Sequence, residues 1–239
     1  MTLVAGFRCR MGGVLLCADR EEGDGYNKRE VDKIQRIPVQ QLKSCDVWLA
    51  GAGGGDLIRQ FEAKLQTSLV TATEAGTDVL KEHERLIQSE LAEFHKQWTS
   101  EIKKEGLAFV LVVAPYRDNL TPMLYRTNKT ALVPYPWYCA AGTGQPIADY
   151  FADRLFHYDR LDRPTLAILA AFILREAQQS AFGVGLGADM KFIDDGGHCR
   201  RELFKDQVKE LQEGIPALED TIYAYWKDKV KIPEWLQNL

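Results

Sequence analysis

Two spacings of apolar residues alternate along this chain, and each change of spacing marks an element boundary. Leu3–Cys9 and Gly13–Ala18 are compact apolar runs rich in Val and Leu, separated by Arg10-Met11-Gly12, which predicts two strands joined as a hairpin. Glu21–Arg29 is polar and carries Gly23, Asp24 and Gly25, the composition of a loop. Val31–Ile37 alternates weakly, and Cys45–Gly51 is a further strand running into Gly53-Gly54-Gly55-Asp56. After those glycines the period lengthens. Leu57, Ile58, Phe61 and Leu65 suit a helix starting near Asp56. Leu80, Ile87, Leu91, Phe94, Trp98 and Ile102 then predict one long amphipathic helix with a single buried stripe.

Strands return with Leu107–Ala114, which is apolar on both faces and so needs cover on both. Tyr116-Arg117-Asp118-Asn119 predicts a turn, Pro122–Arg126 the returning strand, and Trp137–Ala141 another. Two helices follow, Gln145–Tyr158 and Pro164–Ser180, the second with proline suited to its first turn. Asp189–Asp194 and His198–Leu203 flank Asp195-Gly196-Gly197 as a last hairpin, and Phe204–Leu239 reads as a charged helical tail broken at Pro216 and Pro233. Hairpin-linked strands imply antiparallel sheets, and doubly apolar strands need a covered sheet. The expected fold is therefore α+β, a four-layer αββα sandwich with two antiparallel sheets between helical layers. A chain of 239 residues without repeats or low-complexity linkers reads as one domain over 1–239, with a core at 2–203 and a helical C-terminal extension at 204–239.

Charge and composition narrow the partners. A net charge of -4 favours neither nucleic acid nor an anionic membrane. The longest apolar run, Leu107–Pro115, is too short to span a bilayer, and no secretory leader is visible, so the expected location is cytoplasmic. Cys9, Cys17, Cys45, Cys139 and Cys199 form no CxxC pair and read as reduced thiols. The four histidines share no metal-ligand spacing, so neither a metal nor a cofactor is expected.

The residue with chemical potential is Thr2. A threonine hydroxyl becomes a nucleophile only beside a base. Removal of Met1 would give Thr2 its own base, a free α-amine with a reference pKa of about 7.7–8.0, close to working pH. Because Thr2 directly opens a strand, a sheet would hold it in place.

Several blocks resemble the proteasome β-subunit family, including its bacterial two-ring relative, and they occur in the family's order. These are Thr2-Leu3-Val4-Ala5-Gly6, the strand ending in Asp19-Arg20, Val31-Asp32-Lys33-Ile34, Leu49–Asp56, and Ala141-Gly142-Thr143-Gly144-Gln145-Pro146. Together they cover roughly residues 2–195. The resemblance implies the fold of N-terminal nucleophile hydrolases and a threonine-type endopeptidase. In that reading Lys33 is a buried ammonium beside the Thr2 hydroxyl, and Asp19 is its counterion. The Gly51 backbone N–H faces the oxyanion, and Thr143 hydrogen-bonds near the α-amine. It also implies homo-oligomeric rings, a polypeptide substrate and an ATP-dependent unfoldase as partner.

Three departures qualify it, one being a charged helical tail longer than in a minimal β-type subunit. One extra residue separates Thr2 from Asp19, for the Gly12-Gly13 turn to absorb. The family's aspartate after its fourth helix is missing: Gln179 and Ser180 occupy that place, which makes Ser180 the candidate there. Two other functions fit the same residues. One is a non-catalytic ring or scaffold subunit; the other is an amidase or acylase acting on a small substrate.

Overall fold

The structure, a computed structural model, describes residues 2–23, 28–37, 45–71, 79–115, 121–159 and 161–229. It is a mixed α/β chain with two five-stranded antiparallel sheets. The first sheet takes β1 (Leu3–Arg8), β2 (Val14–Asp19), β11 (Ala188–Ile193), β12 (Cys199–Leu203) and β10 (Tyr138–Gly142), in the order β10-β1-β2-β11-β12. The second takes β5 (Ile34–Ile37), β6 (Cys45–Gly53), β7 (Leu107–Pro115), β8 (Met123–Asn128) and β9 (Ala131–Tyr135), in chain order. A small hairpin pairs β3 (Glu21–Gly23) with β4 (Lys28–Glu30). The helices are α1 (Gly55–Thr71), α2 (Val79–Gln97), α3 (Thr99–Glu105), α4 (Gln145–Leu155), α5 (Arg163–Ser180) and α6 (Lys205–Lys229).

Strand alternation sorts the core. Along β1, Leu3, Ala5 and Phe7 pack with Ala148 and Ala152 of α4, with Leu166 and Leu174 of α5, and with Val208 of α6. The alternate residue Val4 instead joins Leu16, Ala50, Val110, Val112 and Leu124, an apolar layer drawn from both sheets. Gly6 lies on the same side, and a Cβ there would meet Leu124 at 2.5 Å, so the sheets approach closely only because this side chain is absent. On the outer face of the second sheet, Val47, Leu49, Phe109 and Leu111 pack against Leu57, Phe61 and Leu65 of α1 and Ile87, Leu91 and Phe94 of α2. The Trp48 indole N–H donates to the Gly197 carbonyl at 2.9 Å, tying β6 to the β11–β12 turn.

Most expected elements are present, and the differences have local causes. Glu21–Gly23 and Lys28–Glu30 pair as strands where the polar composition predicted a loop, and Arg29 and Glu22 face each other across them as an ion pair. Of Val31–Ile37 only Ile34–Ile37 is strand. The stripe expected to run unbroken to Ile102 divides at Trp98 (φ -111, ψ 31), where the Thr99 hydroxyl bonds the His95 carbonyl at 2.6 Å. Strand β9 was not foreseen; Lys129, with φ 53, makes the tight turn that returns it to β8. Pro216 does not break α6; it faces solvent, where water can satisfy the Gln212 carbonyl that a proline leaves unbonded. The turn expected at 116–119 and the break at Pro233 lie outside the described residues, as does Met1.

Candidate functional site

Thr2 immediately precedes β1, at the end where β1 runs between β2 and β10, and only 4% of it is exposed. Antiparallel pairing brings the end of β2 beside the start of β1, which sets Asp19 next to Thr2 although 17 residues separate them. Asp19 is fully buried and satisfied on both oxygens. Its Oδ1 accepts from the Thr2 hydroxyl and from the Leu3 N–H at 2.7 Å. Its Oδ2 accepts from the Gly185 N–H at 3.1 Å and from Lys33 Nζ at 2.9 Å.

Lys33 stands just before β5 and reaches in from the second sheet. Its Nζ donates to the Thr2 hydroxyl oxygen, to Asp19 Oδ2 and to the Glu21 carbonyl at 2.6 Å. An ammonium has three protons to give, and all three have acceptors here. Burial pushes the Lys33 pKa below its ordinary value, against the opposing pull of Asp19. The Thr2 hydroxyl therefore lies between a cation and a carboxylate, accepting from one and donating to the other.

A tight turn holds the other side of Thr2. Its backbone N–H donates to the Thr143 hydroxyl at 3.1 Å, and its carbonyl accepts from the Thr143 hydroxyl and the Gly144 N–H, each at 3.3 Å. Gly142 adopts φ 99, and a Cβ at this position would run into the Thr2 carbonyl. Glycine is required here on both counts.

Five of the six sequence candidates lie around one point, and Ser180 does not. Thr2, Asp19, Lys33 and Thr143 are joined by the bonds above. Gly51 lines the same cleft, but its N–H donates to the Lys33 carbonyl at 3.3 Å and is not idle. Ser180 ends α5, is exposed, and has no hydrogen bond to any of the other five among the described residues. Helix α5 ends at Ser180, and the segment after it brings the Gly185 backbone N–H to Asp19. Sequence reasoning missed Gly185 and the Glu21 carbonyl because backbone groups leave no mark in residue type. The glycines at 183 and 185 were the only available signal.

Thr2 opens on a cleft of about 1250 Å³. Its walls include Lys33, the Gly53-Gly54-Gly55 turn, and Ile58, Arg59 and Glu62 of α1. Gly55, Ile58, Arg59 and Glu62 recur at helical spacing, so one face of α1 forms a wall. Among the described residues no cluster of His, Cys, Asp or Glu has the makings of a metal site, and no helix is long and apolar enough to cross a membrane.

The fold is one shared with solved structures of Anbu proteins. It superposes on Anbu, named as an ancestral β-subunit, from Yersinia bercovieri with a TM-score of 0.78 at 13% identity, over 97% of this chain and 99% of that one. An Anbu mutant from Hyphomicrobium sp. strain MC1 matches with a TM-score of 0.76 at 17% identity, over 98% and 100% of the two chains. The helical assembly of the Anbu complex from Pseudomonas aeruginosa contains a chain that matches with a TM-score of 0.76 at 11% identity, over 97% and 98%. No family model and no curated protein matches the sequence. These neighbours correct the family expectation: the solved structures named here as sharing this fold are Anbu proteins, where the sequence blocks pointed to proteasome β-subunits and the two-ring peptidase. The blocks misdirected for a physical reason. Strand hairpins and glycine turns follow from backbone geometry, so sequence blocks built on them mark an architecture without distinguishing its branches.

Proposed function

We propose that this chain is a threonine-type peptidase of the N-terminal nucleophile kind, acting through Thr2 once Met1 is removed. One observation carries the reading: the buried Lys33 ammonium donates to the Thr2 hydroxyl oxygen at the edge of an open cleft. A cation there lowers the cost of forming an alkoxide and disfavours a second positive charge on the freed amine. The neutral amine takes the hydroxyl proton as Thr2 Oγ1 attacks the substrate carbonyl carbon. The tetrahedral oxyanion needs a donor, and Gly51 N–H serves if the incoming oxygen displaces its long bond to the Lys33 carbonyl. Collapse breaks the C–N bond, and the proton passes to the leaving amine. Water then hydrolyses the threonine ester and restores the hydroxyl. Thr143 positions the amine and Asp19 positions Lys33; Ser180 has no part.

The three apolar layers support a single domain built as an αββα sandwich. The cleft volume suits an extended polypeptide better than a small amide, which favours the peptidase over an acylase. Oligomerisation in the cytoplasm, with an ATP-driven unfoldase as partner, completes the proposal. A neighbour of the same fold is described as a helical assembly, and the five cysteines are unpaired. The test is the intact mass of the purified protein together with peptide hydrolysis by the parent and by Thr2→Ala. A mass lower by one methionine, turnover in the parent and none in Thr2→Ala are expected. Equal turnover in both proteins would sink the reading.

A further inference from the structure

We infer that the cleft selects peptides carrying a lysine or arginine within about three residues of the scissile bond, and that Glu62 is the residue that reads it. The inference rests on the peptidase reading above and adds the substrate class.

Most of the charges that the described residues place in the cleft wall are held by an opposite charge or a backbone donor, and Glu62 is held by neither. Lys33 is taken by Asp19. Arg59 is bound by Glu22 at 3.2 Å and by Asp56 at 2.6 Å, and Arg29 is bound by Glu22 at 2.9 Å. Asp32 is held by Lys191 at 2.6 Å. Lys104 and Glu105 both stand exposed to water at the rim. The Glu21 carboxylate accepts from the Leu186 N–H. Glu62 is half-buried in the cleft wall and has no hydrogen bond or ion pair among the described residues. Burial raises its pKa to about 7, with Arg59 opposing and Asp32 assisting, so an incoming cation would find a carboxylate that water solvates poorly.

Position supplies the register. Gly55 borders the cleft near the Thr2 end of β6, and Glu62 lies seven residues further along the same face of α1, about 10 Å away at 1.5 Å per residue. An extended peptide advances about 3.4 Å per residue, which places Glu62 within reach of a side chain up to three residues from the bond attacked. Lysine and arginine stems can lie along Ile58 while their charged ends meet Glu62.

The experiment is a peptide library varied at each of the three positions on either side of the cleaved bond, hydrolysed by the processed protein. Lys and Arg should exceed Leu and Glu in kcat/KM by about tenfold at one position, the factor one partly screened ion pair supplies. Glu62→Gln should reduce the ratio of basic to apolar turnover toward unity, Glu62→Asp should retain part of it, and added salt should lower it in the parent. Hydrolysis without a basic preference, or a preference that survives Glu62→Gln, overturns the inference and leaves the peptidase intact. Absence of any hydrolysis by the processed protein overturns the peptidase, and this inference with it.

Discussion

Lys191 on β11 holds Asp32 from across the fold: its Nζ donates to Asp32 Oδ2 at 2.6 Å and, beyond it, to the Ile34 carbonyl at 2.9 Å. The residue between those two acceptors is Lys33. One buried ammonium in the first sheet thus clamps both neighbours of another that projects toward Thr2. Asp32 strengthens the clamp by accepting the Ile34 N–H at 2.9 Å.

Lys191→Met should therefore harm turnover more than substrate binding. We expect kcat for peptide hydrolysis to fall about tenfold or more with KM within about twofold, the signature of a misplaced group that acts mainly in the transition state. Lys191→Arg should recover part of the loss. A matched loss of both parameters, tracking stability alone, would show that Lys191 merely supports the fold.

Asp19→Asn removes charge while keeping shape. Lys33 would then be a buried cation without its carboxylate, and the protein should lose about 3 kcal/mol of stability. The Lys33 proton would be held still less tightly than it is now. Urea denaturation measures the first effect; the second should appear as hydrolysis undetectable at neutral pH and unrestored at higher pH.

Gly142→Ala places a methyl against the Thr2 carbonyl in a backbone conformation that L side chains avoid. The turn must shift, and the Thr143 and Gly144 bonds to Thr2 shift with it. Activity should drop at least about tenfold while β1 keeps its pairing, because the error is confined to the turn. Far-ultraviolet circular dichroism beside a peptide assay separates the two effects.

Glu62 should leave a mark on stability against pH. Its folded pKa, near 7, lies above the ordinary 4.5. Between those values the folded state binds more protons than the unfolded state, so stability contributed by the neutral form is fully present below 4.5 and lost as pH rises through 7. Glu62→Gln removes this slope. The variant should melt with the parent at acid pH and a few degrees above it at pH 8. Superimposable melting curves for the two proteins throughout that range would place Glu62 in ordinary solvent.

Much of this was legible in the chain because local chemistry decided it. The apolar run Leu3–Cys9 marked a strand, and Pro164 marked the first turn of α5, which the Asp162 carboxylate caps by accepting the Thr165 N–H at 2.9 Å. Thr2 was visible as a threonine opening a strand, and Asp19, Lys33 and Thr143 through the blocks that resemble a known family. The split at Trp98 was hidden because the apolar stripe continues through it, and β9 was hidden because its register comes from β8.

By itself the sequence determined most of the elements and their apolar faces, since those follow from spacing and residue type within one segment, while the resemblance to a known family supplied the short list of reactive side chains. The tertiary structure alone decided that the Gly185 N–H meets Asp19, that the Glu21 carbonyl meets Lys33, that Ser180 stands apart from them, and that Glu62 faces the cleft with no hydrogen bond or ion pair among the described residues. Those facts depend on backbone groups and on distances between segments far apart in the chain. Sequence spacing records neither, because pairing between strands, and not residue order, brings such groups together.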